Sequence, residues 1–300
     1  MPDRFSDSAT YPRAGNVRRP AWLKKSLPVG ADYRKTDALL DSLGLTTVCR
    51  EAGCPNRWEC YSRGTATFLI LGDRCTRNCR FCGVNHGTPG PPDPSEPEQV
   101  ADAAFRMHLR HVVVTSVTRD DLADGGAHLF AATIRAIREK LPMSRIEVLI
   151  PDFKGDPVAL EMVLSARPDI LNHNMETVPR LYPLVRPEAS YRRSLTLLAR
   201  ADQADLSPVT KSGLMLGLGE TDDEVITVLS DLRKSGCRVL TFGQYLQPTP
   251  RHYPVNRFIP PESFDAWRGR AIKMGFSAVA AGPFVRSSYR ADALVRSLIA

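Results

Sequence analysis

The chain has 300 residues, of which 43% are hydrophobic and 24% are charged, a composition typical of a folded globular protein and unlike that of a disordered one. No apolar run approaches the roughly 20 residues that a membrane-spanning helix needs, which argues against a membrane protein. The formal net charge is +7. The sequence has no dense run of Lys and Arg and no basic stripe interleaved with aromatic residues, so we expect no nucleic-acid partner.

The N-terminal 30 residues are rich in Pro and Arg, show little periodicity and predict an extended arm over the surface. A disordered tail is an equally good interpretation of residues 1–15. The segment lacks the apolar core of a secretory signal, and its acidic residues and prolines argue against a transit peptide. We therefore expect a cytoplasmic protein whose thiols stay reduced.

The cysteines come next along the chain, and six of the seven form two triplets: Cys49, Cys54 and Cys60, then Cys75, Cys79 and Cys82. The spacings differ, C-x4-C-x5-C against C-x3-C-x2-C, which indicates two sites with different tasks. Disulfides are the alternative interpretation. An odd cysteine count without an export signal favours metal binding instead.

From residue 65 onward, predicted strands alternate with predicted helices. The apolar periodicity predicts strands at 67–72, 111–117, 146–150, 170–173, 213–218 and 238–242. It predicts helices at 96–109, 127–141, 157–166, 190–201, 221–235 and 261–274, and a last apolar stretch at 276–281. This alternation implies right-handed crossovers and a parallel sheet. We therefore predict an α/β fold, a single-domain partial (β/α)6-type TIM-like barrel with N-terminal and C-terminal extensions.

Polar side chains follow the predicted strands, where the reactive residues of such barrels lie. The second cysteine triplet follows the first strand, and residues 118–121 follow the second. Polar residues collect in all loops, so the coincidence with the cysteine loop is what favours a site at this end. The other residues in these positions are Asp152, Asn172, His173, Asn174, Glu176, Glu220, Gln244 and Gln247.

The loop at residues 73–82 offers three thiolates, one fewer than a four-iron cluster takes from a protein. Three thiolates on such a cluster leave the fourth iron open to another ligand. Zinc is the competing interpretation, with His86 as a fourth ligand, although zinc sites usually pair two C-x-x-C elements. The first triplet is one ligand short in the same way.

The C-x3-C-x2-C loop, with Phe81 beside its last cysteine, resembles the signature of the radical S-adenosylmethionine superfamily. The resemblance implies that Cys75, Cys79 and Cys82 hold a 4Fe–4S cluster whose open iron chelates S-adenosylmethionine. An electron then cleaves this molecule to methionine and a 5′-deoxyadenosyl radical. With the upstream triplet, the chain resembles the lipoyl synthase family over about residues 20–295. The matching strings include EAGCPN (51–56), ATFLILGDRCTRNCRFC (66–82), HNMETVPR (173–180), YRRSL (191–195), KSGLMLGLGET (211–221) and AGPFVRSSYRA (281–291).

The resemblance implies roles for each part of the chain. Residues 1–64 would be an extension that carries an auxiliary 4Fe–4S cluster on Cys49, Cys54 and Cys60, residues 65–275 the barrel, and residues 276–300 a segment whose Ser288 completes the auxiliary site. That cluster would donate two sulfur atoms to C6 and C8 of an octanoyl chain on a carrier lysine, at the expense of two S-adenosylmethionine molecules.

Four residues are candidates for contacts to S-adenosylmethionine. Charge and position favour Asn174 and Glu176 for its ribose hydroxyls or amino group, and Arg193 or Lys211 for its carboxylate. Helix capping and surface ion pairs are the alternative interpretation. Cys237 has no partner in the sequence, and we expect a buried structural thiol.

The same resemblance implies three kinds of partner. They are octanoylated lipoyl carrier domains (2-oxoacid dehydrogenase E2 subunits and the glycine cleavage H protein), an electron donor such as ferredoxin or flavodoxin, and an iron–sulfur carrier for cluster rebuilding. Carrier domains of this kind tend to be acidic, so basic residues of the arm predict electrostatic steering. These residues are Arg13, Arg18, Arg19, Lys24 and Lys25.

Two other functions compete with this interpretation. A biotin synthase or methylthiotransferase relative would place its auxiliary ligands elsewhere or carry an RNA-binding domain. A non-catalytic electron-transfer module would need four protein ligands per cluster and no barrel of substrate size. A homologue that binds S-adenosylmethionine without turnover is a third possibility that the sequence leaves open.

Overall fold

Seven parallel strands form one sheet in the computed structural model, which describes residues 18–25, 30–205, 207–296 and 298. Each strand pairs with the next along the chain, and in the described residues no ladder joins the first strand to the last. The sheet is therefore an open barrel. Its strands are β1 (Thr67–Ile70), β2 (His111–Ser116), β3 (Arg145–Leu149), β4 (Ile170–Asn172), β5 (Val209–Leu216), β6 (Val239–Gln244) and β7 (Ala278–Gly282).

Helices connect these strands and cover the outside of the sheet. Three precede it, α1 (Ala31–Ser42), α2 (Val48–Glu51) and α3 (Arg57–Ser62). The remainder are α4 (Glu96–Arg106), α5 (Ala127–Lys140), α6 (Pro157–Ser165), α7 (Tyr182–Val185), α8 (Tyr191–Asp202), α9 (Asp222–Lys234), α10 (Pro261–Lys273) and α11 (Ala291–Val295). No helix in the described part of the chain has the length and apolarity to cross a membrane.

Local sequence explains where these helices lie and begin. In α4, Val100, Ala103 and Ala104 recur at helical spacing and are fully buried. Thr221 and Glu224 form a reciprocal capping box that starts α9. Periodicity and capping therefore determine the regular part of the fold.

The prediction of an α/β, TIM-like partial barrel is confirmed. The stretch predicted as apolar at 276–281 forms β7 and pairs in parallel with β6, so the sheet has a seventh strand. Strand β5 begins at Val209, four residues before the predicted start at 213. Thr210, Lys211 and Ser212 are polar but fully buried, and hydrophobic periodicity does not detect such residues.

The N-terminal extension packs on the open edge of the barrel. The ring of Tyr33 in α1 stacks on Trp58 and Tyr61 of α3, with centroids 4.5 and 5.5 Å apart. The Leu69 backbone N–H donates to the Thr46 carbonyl at 3.0 Å, and Thr47 forms a bridge to Phe68. The exposed edge of β1 is thereby covered. Of the predicted arm, residues 1–17 and 26–29 lie outside the described residues, and Ala21–Leu23 forms a single 3-10 turn.

Candidate active site

The second cysteine loop closes on itself at the carboxyl end of β1. The Cys75 N–H donates to the Asn85 carbonyl at 2.8 Å, and the Gly87 N–H returns to the Cys75 carbonyl at 2.9 Å. The Cys82 N–H donates to the Cys79 carbonyl at 3.0 Å. These bonds hold the three thiols on one compact loop at the barrel mouth, where the strand order predicts a site.

Arg77 anchors this loop to the barrel. Its guanidinium is buried and donates from Nε to Asp120 Oδ2 and from Nη2 to Asp152 Oδ1, both at 2.6 Å. Asp152 follows β3 and also accepts from Arg193 Nη1 at 3.0 Å. Burial alone would raise the pKa of Asp152, but the hydrogen bond and charge of Arg77 outweigh it and lower that pKa to about 2. The carboxylate is therefore ionised and fixes two guanidinium groups.

The thiols of this loop are close enough to change one another's pKa values. Burial, with a smaller contribution from the neighbouring thiols of the triplet, raises the pKa of Cys79 to about 11 and that of Cys82 to about 12. The Thr118 N–H lies 3.3 Å from Cys75 Sγ, in position to donate to it. Backbone N–H groups directed at cysteine sulfur are typical of iron–sulfur sites, where they tune the potential.

The first triplet forms a second group on α2, α3 and the loop between them. Burial raises the pKa of Cys49 to about 12 and that of Cys60 to about 11, and the Cys54 thiol adds to both shifts. The three thiols are therefore neighbours, as the spacing predicts.

The C-terminal segment docks on this first loop. Tyr289 Oη donates to Glu59 Oε1 at 2.8 Å, directly beside Cys60. Asn56 Nδ2 donates to the Phe284 carbonyl at 2.6 Å. Ser288 immediately precedes Tyr289, so the structure brings the predicted serine ligand to the loop that it is predicted to complete.

Glu176 and Arg286 connect the two cysteine groups. Burial raises the pKa of Glu176, and its carboxylate in turn raises the pKa values of Cys79 and Cys82. Burial lowers the pKa of the Arg286 guanidinium, which interacts with Cys54 on one side and Glu176 on the other. The two triplets are therefore linked electrostatically through this carboxylate and guanidinium.

The four residues predicted to contact S-adenosylmethionine separate into two groups. Asn174 and Glu176 lie together after β4, with Asn174 Nδ2 3.1 Å from Glu176 Oε1. Glu176 has a φ of 65°, a conformation costly for glutamate and common at functional sites. Arg193 instead binds Asp152, and the fully buried Lys211 Nζ binds Glu147 Oε1 at 2.7 Å.

Sequence reasoning missed three buried charges around the site. Arg77 is inside the cysteine loop and reads as a solvated loop residue. Glu147 is central in β3. A single carboxylate in an otherwise apolar strand could have indicated a buried charge at this position. Arg186 donates from Nη1 to the carbonyls of Asn174 and Met175 at 2.8 and 3.1 Å. Its buried Nε has no partner among the described residues.

His173, another predicted site residue, is buried behind the loops. Its Nδ1 lies 2.8 Å from the Ile150 carbonyl oxygen and its Nε2 lies 2.8 Å from Ser194 Oγ. A neutral ring with the proton on Nδ1 satisfies both contacts, because the carbonyl only accepts. Burial lowers the pKa of His173 to about 4, and the Arg186 cation acts in the same direction.

This lowered pKa makes stability depend on pH. We expect the free energy of unfolding of the cluster-free protein to fall as the pH drops from 6.5, the ordinary pKa, towards 4, because the unfolded chain takes up a proton that the folded chain excludes. The gap between the two pKa values corresponds to about 3 kcal/mol. Urea unfolding across this range should show a shallower pH slope for His173→Gln. Equal slopes for the two proteins would contradict the assignment.

The remaining cysteine, Cys237, is fully buried, and its Sγ lies 3.4 Å from the Val239 carbonyl. In the described residues, no three His, Cys, Asp or Glu side chains converge on a point suitable for a single metal ion. A 4Fe–4S cluster takes each thiolate on a different iron, and two groups of three mutually interacting thiols fit that donor set.

Two family profiles and many known proteins match the sequence of this chain. The profile of the Radical SAM superfamily matches residues 69–232, and that of the N-terminal domain of lipoyl synthase matches residues 2–54. A lipoyl synthase of Desulfotalea psychrophila is 58% identical over 280 residues, covering 93% of this chain and 94% of that one. Another, of Chlorobium phaeovibrioides, is 55% identical over 276 residues, covering 92% and 97%.

Solved structures resemble the fold at low sequence identity. Methylornithine synthase superposes with a TM-score of 0.53 at 14% identity, over 81% of this chain and 74% of that one. HydG, a maturase of the FeFe-hydrogenase, superposes with a TM-score of 0.56 at 14% identity, over 83% and 63%. At this level of identity the similarities show the fold alone.

Proposed function

The chain belongs to the lipoyl synthase family of the Radical SAM superfamily, and from this premise we propose that it inserts sulfur at C6 and C8 of an octanoyl chain on the lysine of a lipoyl carrier domain. It is a sulfurtransferase with S-adenosylmethionine and 4Fe–4S clusters as cofactors. The observation that carries the proposal is the presence of two separate groups of three cysteines, one closed on itself after β1 and the other in contact with the C-terminal segment.

We assign a different cluster to each of the two cysteine loops. Cys75, Cys79 and Cys82 hold the radical-generating cluster, and Cys49, Cys54, Cys60 and Ser288 hold the sulfur donor. When bound, these clusters supply the electron that cleaves S-adenosylmethionine and the sulfur that is inserted. The hard oxygen of Ser288 is a poorer match for iron than thiolate, which suits a site that must open to release sulfur.

The chain's own residues bind and orient S-adenosylmethionine. Asn174 and Glu176, held together after β4, suit its hydroxyl and amino groups. Arg193 and Lys211, the residues predicted for its carboxylate, already bind Asp152 and Glu147, and Arg186 is a further candidate for that group. Its charge lowers the pKa of Cys79 and its Nε is unpaired among the described residues, so it lies beside the loop with donor capacity to spare. The surrounding barrel excludes water from a reactive radical.

Anaerobic reconstitution tests the proposed function. The reconstituted protein is incubated with an octanoyl-lysine peptide, a reductant and S-adenosylmethionine. The proposal predicts 5′-deoxyadenosine together with a dithiolated peptide. Deoxyadenosine without sulfur insertion would point to another substrate and overturn it.

The substrate is delivered on a protein, and charge steering is a further part of this proposal. Arg18, Arg19 and Lys24 are exposed, whereas Lys25 is held by Glu59 at 2.8 Å. Arg13 lies outside the described residues. Steering therefore falls on the three exposed cations, of which Arg19 lines a cleft of about 280 Å³ together with Cys54.

Replacing Arg18, Arg19 and Lys24 with glutamine should slow turnover of a carrier domain several-fold at low salt and leave it nearly unchanged at high salt. Turnover of a short peptide should not change at either salt concentration. A control variant with three glutamines at the exposed positions Arg110, Arg135 and Lys273 keeps the same net charge. Equal rates for the two variants at low salt would contradict steering by the arm.

We also propose a cytoplasmic location, a ferredoxin or flavodoxin as electron donor, and an iron–sulfur carrier that rebuilds the auxiliary cluster. The two partners follow from the chemistry, since the reaction consumes low-potential electrons and cluster sulfur, and the location follows from the need for reduced thiols.

A further inference from the structure

A buried ion pair crosses the barrel interior below the candidate active site. Lys211 of β5 and Glu147 of β3 are separated by β4 in the sheet, yet their side chains meet at 2.7 Å with no solvent exposure. The other Glu147 oxygen faces His111 Nε2 at 3.1 Å. Such a pair contributes little net stability, because desolvation of both charges offsets their attraction. Its presence therefore calls for another reason.

The ion pair also contacts the C-terminal segment, which suggests a role in holding that segment. Lys211 Nζ also donates to the backbone carbonyl of Ser287 at 2.7 Å. The side chain of the same serine is held as well, with its Oγ 2.7 Å from Asn174 Nδ2. Lys211 of β5 and Asn174 of the loop after β4 thus both bind Ser287, in the segment that follows β7.

Ser288 lies between two fixed points. On one side Lys211 and Asn174 hold Ser287, and on the other Tyr289 and Arg290 donate to Glu59 at 2.8 Å. Glu59 is adjacent to Cys60. The serine therefore has little freedom to leave the first cysteine loop while both contacts persist.

We propose that Lys211 is a positioning residue that holds the segment at residues 284–290 in the barrel and so places Ser288 against the first cysteine loop. Glu147 fixes the ammonium group for this task, and His111 holds the carboxylate from its far side. This inference rests on the proposed role of Ser288 in the auxiliary site. Breaking the contact to the Ser287 carbonyl should release the segment without altering the second cysteine loop.

Hydrogen exchange of the cluster-free protein tests the anchor without any activity. The double variant E147Q/K211M removes both buried charges together, so that neither is left unpaired. Loss of a charged hydrogen bond predicts about tenfold faster exchange of amides in residues 284–290. Lys140→Met, which removes a lysine paired with Asp102 on the outer helices, serves as the control and should leave this segment unchanged. If the double variant does not fold, Lys211→Gln replaces it, because its shorter, neutral side chain removes the ammonium group that binds the Ser287 carbonyl.

Spectroscopy of the reconstituted protein tests the consequence. In the Lys211 variants we expect the Mössbauer signal of the serine-bound iron to shift towards that of Ser288→Ala, with the signal of the other cluster intact. Unchanged exchange and an unchanged spectrum would overturn the inference. If Ser288→Ala itself matched the wild-type spectrum, the proposed ligand role would fail, while the exchange result would still decide whether Lys211 anchors the segment.

Discussion

Replacing Cys54 with alanine is expected to abolish the dithiolated product while S-adenosylmethionine cleavage continues. Cys54 belongs to the first cysteine group, whose thiols interact with one another, whereas the second group is held by its own backbone bonds and by Arg77. Removal of one thiolate from a site whose proposed fourth ligand, Ser288, is weaker should leave too few ligands for a stable cluster. The measurement is 5′-deoxyadenosine and dithiolated peptide from the same anaerobic reaction.

Two other cysteine variants complete this test. Cys79→Ala should lose both products, because it removes a ligand of the radical-generating site. Cys237→Ala removes a buried thiol outside both groups and should retain both products. Loss of deoxyadenosine formation in Cys54→Ala would contradict the division of the chain into two sites.

Replacing Asp152 with asparagine is expected to disable the radical-generating loop. Asp152 is fully buried and binds both Arg77 and Arg193, so the variant leaves two guanidinium groups without their shared carboxylate. Arg77 keeps Asp120, so the cost is that of weakened hydrogen bonds between charged groups, about 1.5–3 kcal/mol. Because Arg77 lies between Cys75 and Cys79, we expect the loop to lose its cluster and deoxyadenosine formation to fall by about a hundredfold or more.

Asp169→Asn is the matched control for this variant. Asp169 is a partly buried carboxylate that pairs with Arg138 at 2.7 Å, and it precedes β4 at the opposite end of the barrel. It should lower stability without emptying the loop. The iron content of the second site, measured by electron paramagnetic resonance after reduction, separates the two effects. Normal signal and turnover in Asp152→Asn would refute the role of this carboxylate.

The sequence allowed prediction of the elements whose periodicity is strong. Helices such as α4 and α9, and the two cysteine spacings, are local features that a linear pattern records. The buried polar start of β5 is not such a feature, since Lys211 is stabilised there by Glu147, 64 positions away. The sequence also did not reveal that the segment after β7 enters the barrel.

The network around Arg77 shows the same limit. Its partners Asp120 and Asp152 follow two different strands, and only the parallel sheet brings them to one edge. Asp152 was predicted as a polar residue after the third strand, without a role. By contrast, Ser288 was assigned from the family resemblance, and the contacts of Tyr289 to Glu59 explain how a distant serine reaches the first loop.

The source of the inserted sulfur shows whether the auxiliary site is the donor. The protein is reconstituted with isotopically heavy sulfide, freed of excess, and given an octanoyl-lysine peptide, reductant and S-adenosylmethionine in buffer that contains ordinary sulfide. We predict that each dithiolated peptide carries two heavy sulfur atoms and that no more than one such peptide forms per chain. Ordinary sulfur in the product would contradict the claim that the site of Cys49, Cys54, Cys60 and Ser288 is consumed as the donor.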